Sequence, residues 1–226
     1  MKYPTVASEF STITAAHMGF SLSRYGDGEL KLALGKDAKS QRADPELAAA
    51  LKRILQAGPG KCLVCIPNIV GVETKPFWAS YTADRYVRLY RQDDGERVLY
   101  GSSFVTRPDS APWIDTPDYW ARVIDLWRDL DVVLVRGSTK SLTAADLAHA
   151  SSVEEIVVSR QHAWADYPEL LARLTGEERR VILCLGATAT VLAYELAARD
   201  VQALDLGHVG MFLRKEGRFD RESFPA

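Results

Sequence analysis

Residues 180–208, "RVILCLGATATVLAYELAARDVQALDLGH", decide the fold class. An apolar run rich in Val, Ile and Leu breaks at Gly186, continues as small and apolar residues at helical spacing, and returns after Asp200 to a second short apolar run ending in Asp205. A strand, a helix and a strand in so short a stretch form a crossover unit with parallel strands.

The same alternation runs through the chain. "FSLSR", "CLVCIP", "RVLYGSSF", "DVVLVRG" and "EEIVVS" are apolar runs bounded by Gly, Pro or charge, as buried strands are. Between them, "DPELAAALKRILQ", "KPFWASYTADRYVRLYRQ", "TPDYWARVIDLWRDL" and "YPELLARLTG" carry apolar residues at helical spacing, several after a capping Asp or Thr with Pro in the first turn. The pattern predicts an α/β fold, a Rossmann-like, mostly parallel sheet with helices on both faces. With 226 residues, 47% of them hydrophobic, residues 1–226 are expected to form a single domain. The Pro-rich stretch "VTRPDSAPWIDTP" reads as a linker or an active-site flap.

Charge and composition exclude several classes. The net charge is −2 and basic residues are interspersed with acidic ones, so no nucleic-acid partner is expected. No apolar run is long enough for a transmembrane segment, and the first twenty residues lack a signal peptide's apolar core, so a cytoplasmic location is expected. Three cysteines, an odd number in apolar runs, suit a reducing compartment. Cys62 and Cys65 form a C-x-x-C inside a strand-like run with no second ligand pair, which favours a structural role over zinc or redox chemistry.

Ligands of such sheets bind beyond the carboxyl ends of the strands, so the strand-end loops are the candidates. In "LGATA", Gly186 allows close backbone approach, and the helix start beyond it, at Thr188 or Thr190, favours an anion such as a phosphate. In "RYGDGE", Asp27 and Glu29 can both face a hard divalent cation, with Arg24 placed to pair with a phosphate; the same two acids also suit a turn and a helix's first turn. "VRGSTKS" lacks P-loop spacing, though Lys140 can reach a phosphate. Asp205 and His208 lie at a strand end where a base would stand, whereas His17, His149 and His162 read as structural or exposed. Trp113 could stack on a sugar, although the tryptophans are more simply core residues.

Taken in order, "FSLSRYGDGEL", Gln41, "GSSFVTRP", "YWARVIDLW" and residues 181–208 resemble the bacterial GT-D-type glycosyltransferases, over roughly residues 18 to 210. The resemblance implies metal-dependent transfer of a sugar from a nucleoside diphosphate donor, typically UDP-glucose, to an acceptor glycan. It places Mn²⁺ or Mg²⁺ on Asp27 and Glu29, donor contacts on Arg24, Gly26, Arg107, Gly186 and Thr188, and acceptor activation on Asp205 or His208. After His208 the chain departs from the family, reading "VGMFLRKEG", which touches the acceptor side. A metal-dependent nucleotide-sugar phosphohydrolase and a non-catalytic nucleotide-binding module remain the alternatives.

Overall fold

A computed structural model describes residues 2–72, 75–92, 99–137, 141–159 and 161–215. Its strands are β1 (Thr5–Val6), β2 (Ser21–Arg24), β3 (Cys62–Ile66), β4 (Leu99–Ser102), β5 (Asp131–Arg136), β6 (Ser152–Val157), β7 (Arg180–Cys184) and β8 (Ala203–Asp205). The helices are α1 (Glu9–His17), α2 (Asp27–Ala33), α3 (Pro45–Leu55), α4 (Asp84–Val87), α5 (Pro117–Ile124), α6 (Tyr167–Leu174), α7 (Ala187–Ala197) and α8 (Val209–Lys215).

The strands form one sheet in the order β1-β4-β3-β2-β8-β7-β5-β6, and every pairing is parallel. Because both faces are covered, successive residues of a strand enter different halves of the core. Val133, Val135, Val181 and Leu183 pack with Leu170 and Leu174 of α6 and Leu192 and Leu196 of α7. Their neighbours Val132, Leu134, Ile182 and Leu204 join Trp120, Val123 and Trp127 on the opposite face. Helices α3 and α6 both pack against α7, while α1 packs against α5. The outer strand β6 carries Glu154 and Glu155, paired with Arg173, Arg179 and Arg136, and this charge discourages a further strand from adding.

The helix starts follow their caps. Asp44 accepts from Glu46 and Leu47 N–H at the start of α3, and Thr116 from Tyr119 N–H at α5, each with Pro in the first turn.

Two expectations are corrected, and one element went unread. "KPFWASYTADRYVRLYRQ" is not one helix but a 3-10 segment, Pro76–Thr82, followed by the short α4, because Ala83 is extended and the rings of Trp78, Tyr81 and Tyr86 pack against one another in tilted pairs instead of lining a helical face. The Pro-rich stretch is not a linker, since Phe104, Val105, Ala111 and Ile114 anchor it in the core. Strand β1, two residues long, is too short for a periodicity to show. Arg97, Val98 and Lys140 lie outside the described residues.

The cysteines are buried, and burial raises the thiol pKa of both Cys62 and Cys65. Cys65 fits because β4 has Gly101 opposite it; a Cβ there would stand 2.6 Å from Cys65 Sγ.

Candidate active site

The central strands β2 and β8 end side by side in Arg24 and Asp205, the first requirement of a site beyond the carboxyl edge. Arg24 is buried. Its Nε and Nη2 donate to Ser103 O at 3.2 and 2.8 Å, and Nη1 donates to Thr106 Oγ1 at 2.6 Å and Asp205 O at 3.4 Å. The guanidinium therefore ties the exits of β2, β4 and β8 together, and burial lowers its pKa against the pull of Asp205. Thr106 completes the tie by donating to Leu206 O.

The Asp205 carboxylate is also buried. It accepts Gly207 N–H at 3.1 Å and the Thr190 hydroxyl at 3.3 Å, and burial pushes its pKa up to about 7 in spite of Arg24. Gly207 has φ +55° and an added Cβ would meet Arg24 Nη1 at 3.4 Å, so the turn after β8 needs glycine for its conformation and for the arginine behind it. That turn leaves His208 exposed at the rim.

Asp27 and Glu29 open α2. Glu29 Oε2 reaches back to Gly26 N–H at 2.8 Å, as a residue at this helix position does, and burial raises its pKa. Asp27 is half-exposed and pairs with Lys31 at 2.9 Å. Both acids feel Arg107, which the loop after β4 brings in and which Asp109 holds through two hydrogen bonds of 2.7 and 2.9 Å. Glu29 in turn feels Arg24 and is felt by Asp205. Capping and site geometry coexist here, so the turn reading of these acids holds for Glu29 without removing it from the cluster.

On the far side of β8, α7 begins at Ala187 after Gly186, which has φ +58°, and no side chain caps its first turn. Gly186 is exposed, while Thr188 is buried and its hydroxyl has no hydrogen-bond partner among the described residues. Gln41 closes this end from the side: its Oε1 accepts Trp164 N–H, and the neighbouring Arg42 N–H donates to His162 Nδ1.

Arg24, Asp27, Glu29, Arg107 and Asp205 thus form one electrostatic cluster, with the start of α7 beside it. Sequence reading missed Ser103 and Thr106, whose roles depend on meeting Arg24 across 79 and 82 positions. The one available signal was their place in a strand-end loop.

As a cation site, the cluster offers two carboxylates in one helical turn; no group of three or more His, Cys, Asp or Glu arranged for a metal occurs among the described residues. Two carboxylates are oxygen donors of the kind that hard cations take together with water and substrate phosphate, not the nitrogen and sulfur set of zinc; in this structure Asp27 pairs with Lys31 and Glu29 with Gly26 N–H.

Comparison with known proteins agrees with the fold. A structure of the highly conserved domain of unknown function 1792, described as having a distinct glycosyltransferase fold, is similar with a TM-score of 0.82 and 28% identity, covering 95% of this chain and 82% of that one. A structure from Streptococcus sanguinis, described as a new glycosyltransferase, is similar with a TM-score of 0.81 and 26% identity, covering 95% of this chain and 85% of that one. "Glycosyltransferase GlyD" of Streptococcus pneumoniae is 32% identical in an alignment 208 residues long that covers 84% of this chain and 25% of the relative; for "Probable glycosyl transferase Gly" of Streptococcus gordonii the figures are 29%, 211 residues, 84% and 30%. The chain therefore spans less than a third of the length of these two relatives. The family model for the glycosyltransferase GT-D fold matches residues 22–212, from the middle of β2 into α8, and the chain belongs to that family.

Proposed function

We propose that this domain transfers a sugar, glucose in the first instance, from a UDP-sugar to a glycan acceptor with the help of Mn²⁺ or Mg²⁺. The observation that carries the reading is the convergence of Arg24, Asp27, Glu29, Arg107 and Asp205 beside the uncapped start of α7, at the carboxyl ends of adjacent strands. Asp27 and Glu29 would hold the cation, which when bound offsets the charge of the departing diphosphate.

The remaining roles follow from exposure and bonding. Gly186 and the first turn of α7, with the Thr188 hydroxyl, suit the diphosphate. Arg24 is committed to three protein acceptors, so it acts as a fixed positive charge beneath the site, and the half-buried Arg107 is the arginine placed to meet phosphate. Asp205 is enclosed and anchors the Gly207 turn; the exposed His208 is the better group to take a proton from an acceptor hydroxyl.

The test mixes the protein with UDP-glucose and Mn²⁺, with and without a panel of glycans, and reads UDP release and glycan mass. Acceptor-dependent UDP release with a glycan heavier by one hexose, lost in EDTA, is expected. Acceptor-independent hydrolysis supports the phosphohydrolase instead, and binding without turnover in any arm supports the nucleotide-binding module.

A further inference from the structure

Beside this cluster lies a buried carboxyl group that the transfer chemistry does not use. Glu9, the first residue of α1, is 1% exposed, and among the described residues no cation pairs with it. Three neutral donors hold its carboxylate: Ser102 Oγ at 2.7 Å and Asn68 Nδ2 at 3.2 Å on Oε1, and Trp113 Nε1 at 2.8 Å on Oε2. Enclosing a carboxylate without a counter-charge costs stability unless its hydrogen bonds are well formed. Here they fix the N–H edge of an indole whose ring is 37% exposed.

The backbone under Trp113 is equally constrained. It is the middle residue of a 3-10 turn that starts at Pro112, and Ala111 and Ile114 on either side of that pair are fully buried. Phe10, next to Glu9, is also exposed and packs edge-on against Tyr119 at 4.9 Å, while the Tyr119 hydroxyl donates to Val105 O and contacts Glu9 O. Two exposed rings therefore flank one buried carboxylate. The loop that bears Trp113 is the one that supplies Ser103, Thr106 and Arg107 to the cluster, and Tyr119 lies within electrostatic reach of both Glu9 and Arg24.

We propose that Trp113, pinned by Glu9, is a preorganised stacking platform for a pyranose ring of the glycan acceptor. A rigid aromatic face that meets the apolar face of a sugar loses little freedom on binding, and its continuity with the Arg107 loop places the bound ring next to the transfer site. This inference rests on the glycosyl-transfer reading.

The experiment measures saturation-transfer NMR with maltose, cellobiose, lactose and chitobiose in the presence of UDP and Mn²⁺, for wild type, Trp113→Ala and Trp113→Phe, with UDP affinity measured in parallel. At least one disaccharide should receive saturation from wild type. Its affinity should fall on the order of ten-fold in Trp113→Ala, the scale of one lost aromatic contact, and return only in part in Trp113→Phe, which keeps an aromatic face but gives up the hydrogen bond to Glu9, with UDP affinity unchanged throughout. No transfer from wild type to any of the four, or equal binding by Trp113→Ala, overturns the platform. Loss of UDP-glucose turnover and UDP binding in wild type would instead sink the glycosyl-transfer reading, so the two failures are told apart.

Discussion

At the scale of single residues, the site is built from side chains whose structural and chemical duties can be separated by substitution. Asp27→Asn keeps the shape of the first turn of α2 and gives up an exposed pair with Lys31, a loss of roughly 0.5 kcal/mol or less. A cation ligand changed in the same way loses an anionic oxygen, and metal-dependent donor turnover should fall on the order of a hundred-fold or more with the melting temperature nearly unmoved. Near wild-type turnover across a Mn²⁺ titration would remove Asp27 from the site. Several of these residues were legible in the sequence because their reasons are local: Gly186 does stand, with positive φ, between a strand and the helix that follows, and the acids follow a strand end. Glu9 was not legible, since nothing in "ASEFST" says that its carboxylate will meet Asn68, Ser102 and Trp113 from 59 to 104 positions away. The same limit hid Arg24's commitments; its sequence neighbourhood suggested an arginine available to phosphate, whereas its bonds run to other strands.

At the scale of elements, the loop after β4 has its own clamp. Asp109 accepts from Arg107 and Lys75, and although burial alone would raise its pKa, these cations hold it at about 2. A depressed carboxylate contributes stability that is present above its unfolded value near 4 and lost as the pH falls toward 2. Asp109→Asn should therefore cost about 1 kcal/mol at neutral pH, allowing for the partly exposed partners, and the gap should close between about pH 4 and pH 2 in urea melts. A gap independent of pH would show that Asp109 acts through packing alone. Elements with strong periodicity and caps, such as α3 and α5, could be read from sequence. The aromatic segment 76–87 could not, because ring-on-ring packing rather than helical spacing decides its shape.

At the scale of the whole molecule, the all-parallel order could be anticipated as far as alternation goes, but the placement of β8 between β2 and β7 could not, since periodicity carries no partner information. That placement has a consequence for how the chain comes to be folded. Arg24 and Asp205 meet across 181 residues, and the strand that joins the two halves of the sheet is the last in chain order of the eight described. Until it arrives, β2 and β7 each present an open apolar border, and closure must wait on a contact of very high sequence separation, a topology that folds slowly and risks self-association. A chain ending at residue 200 should therefore lack a cooperative melt and collect in aggregates, despite retaining seven of the eight strands; a sharp, reversible melt from that fragment would show that the halves fold independently. The meeting of Arg24 with Asp205 would then be acquired all at once, when β8 takes its place between the two halves.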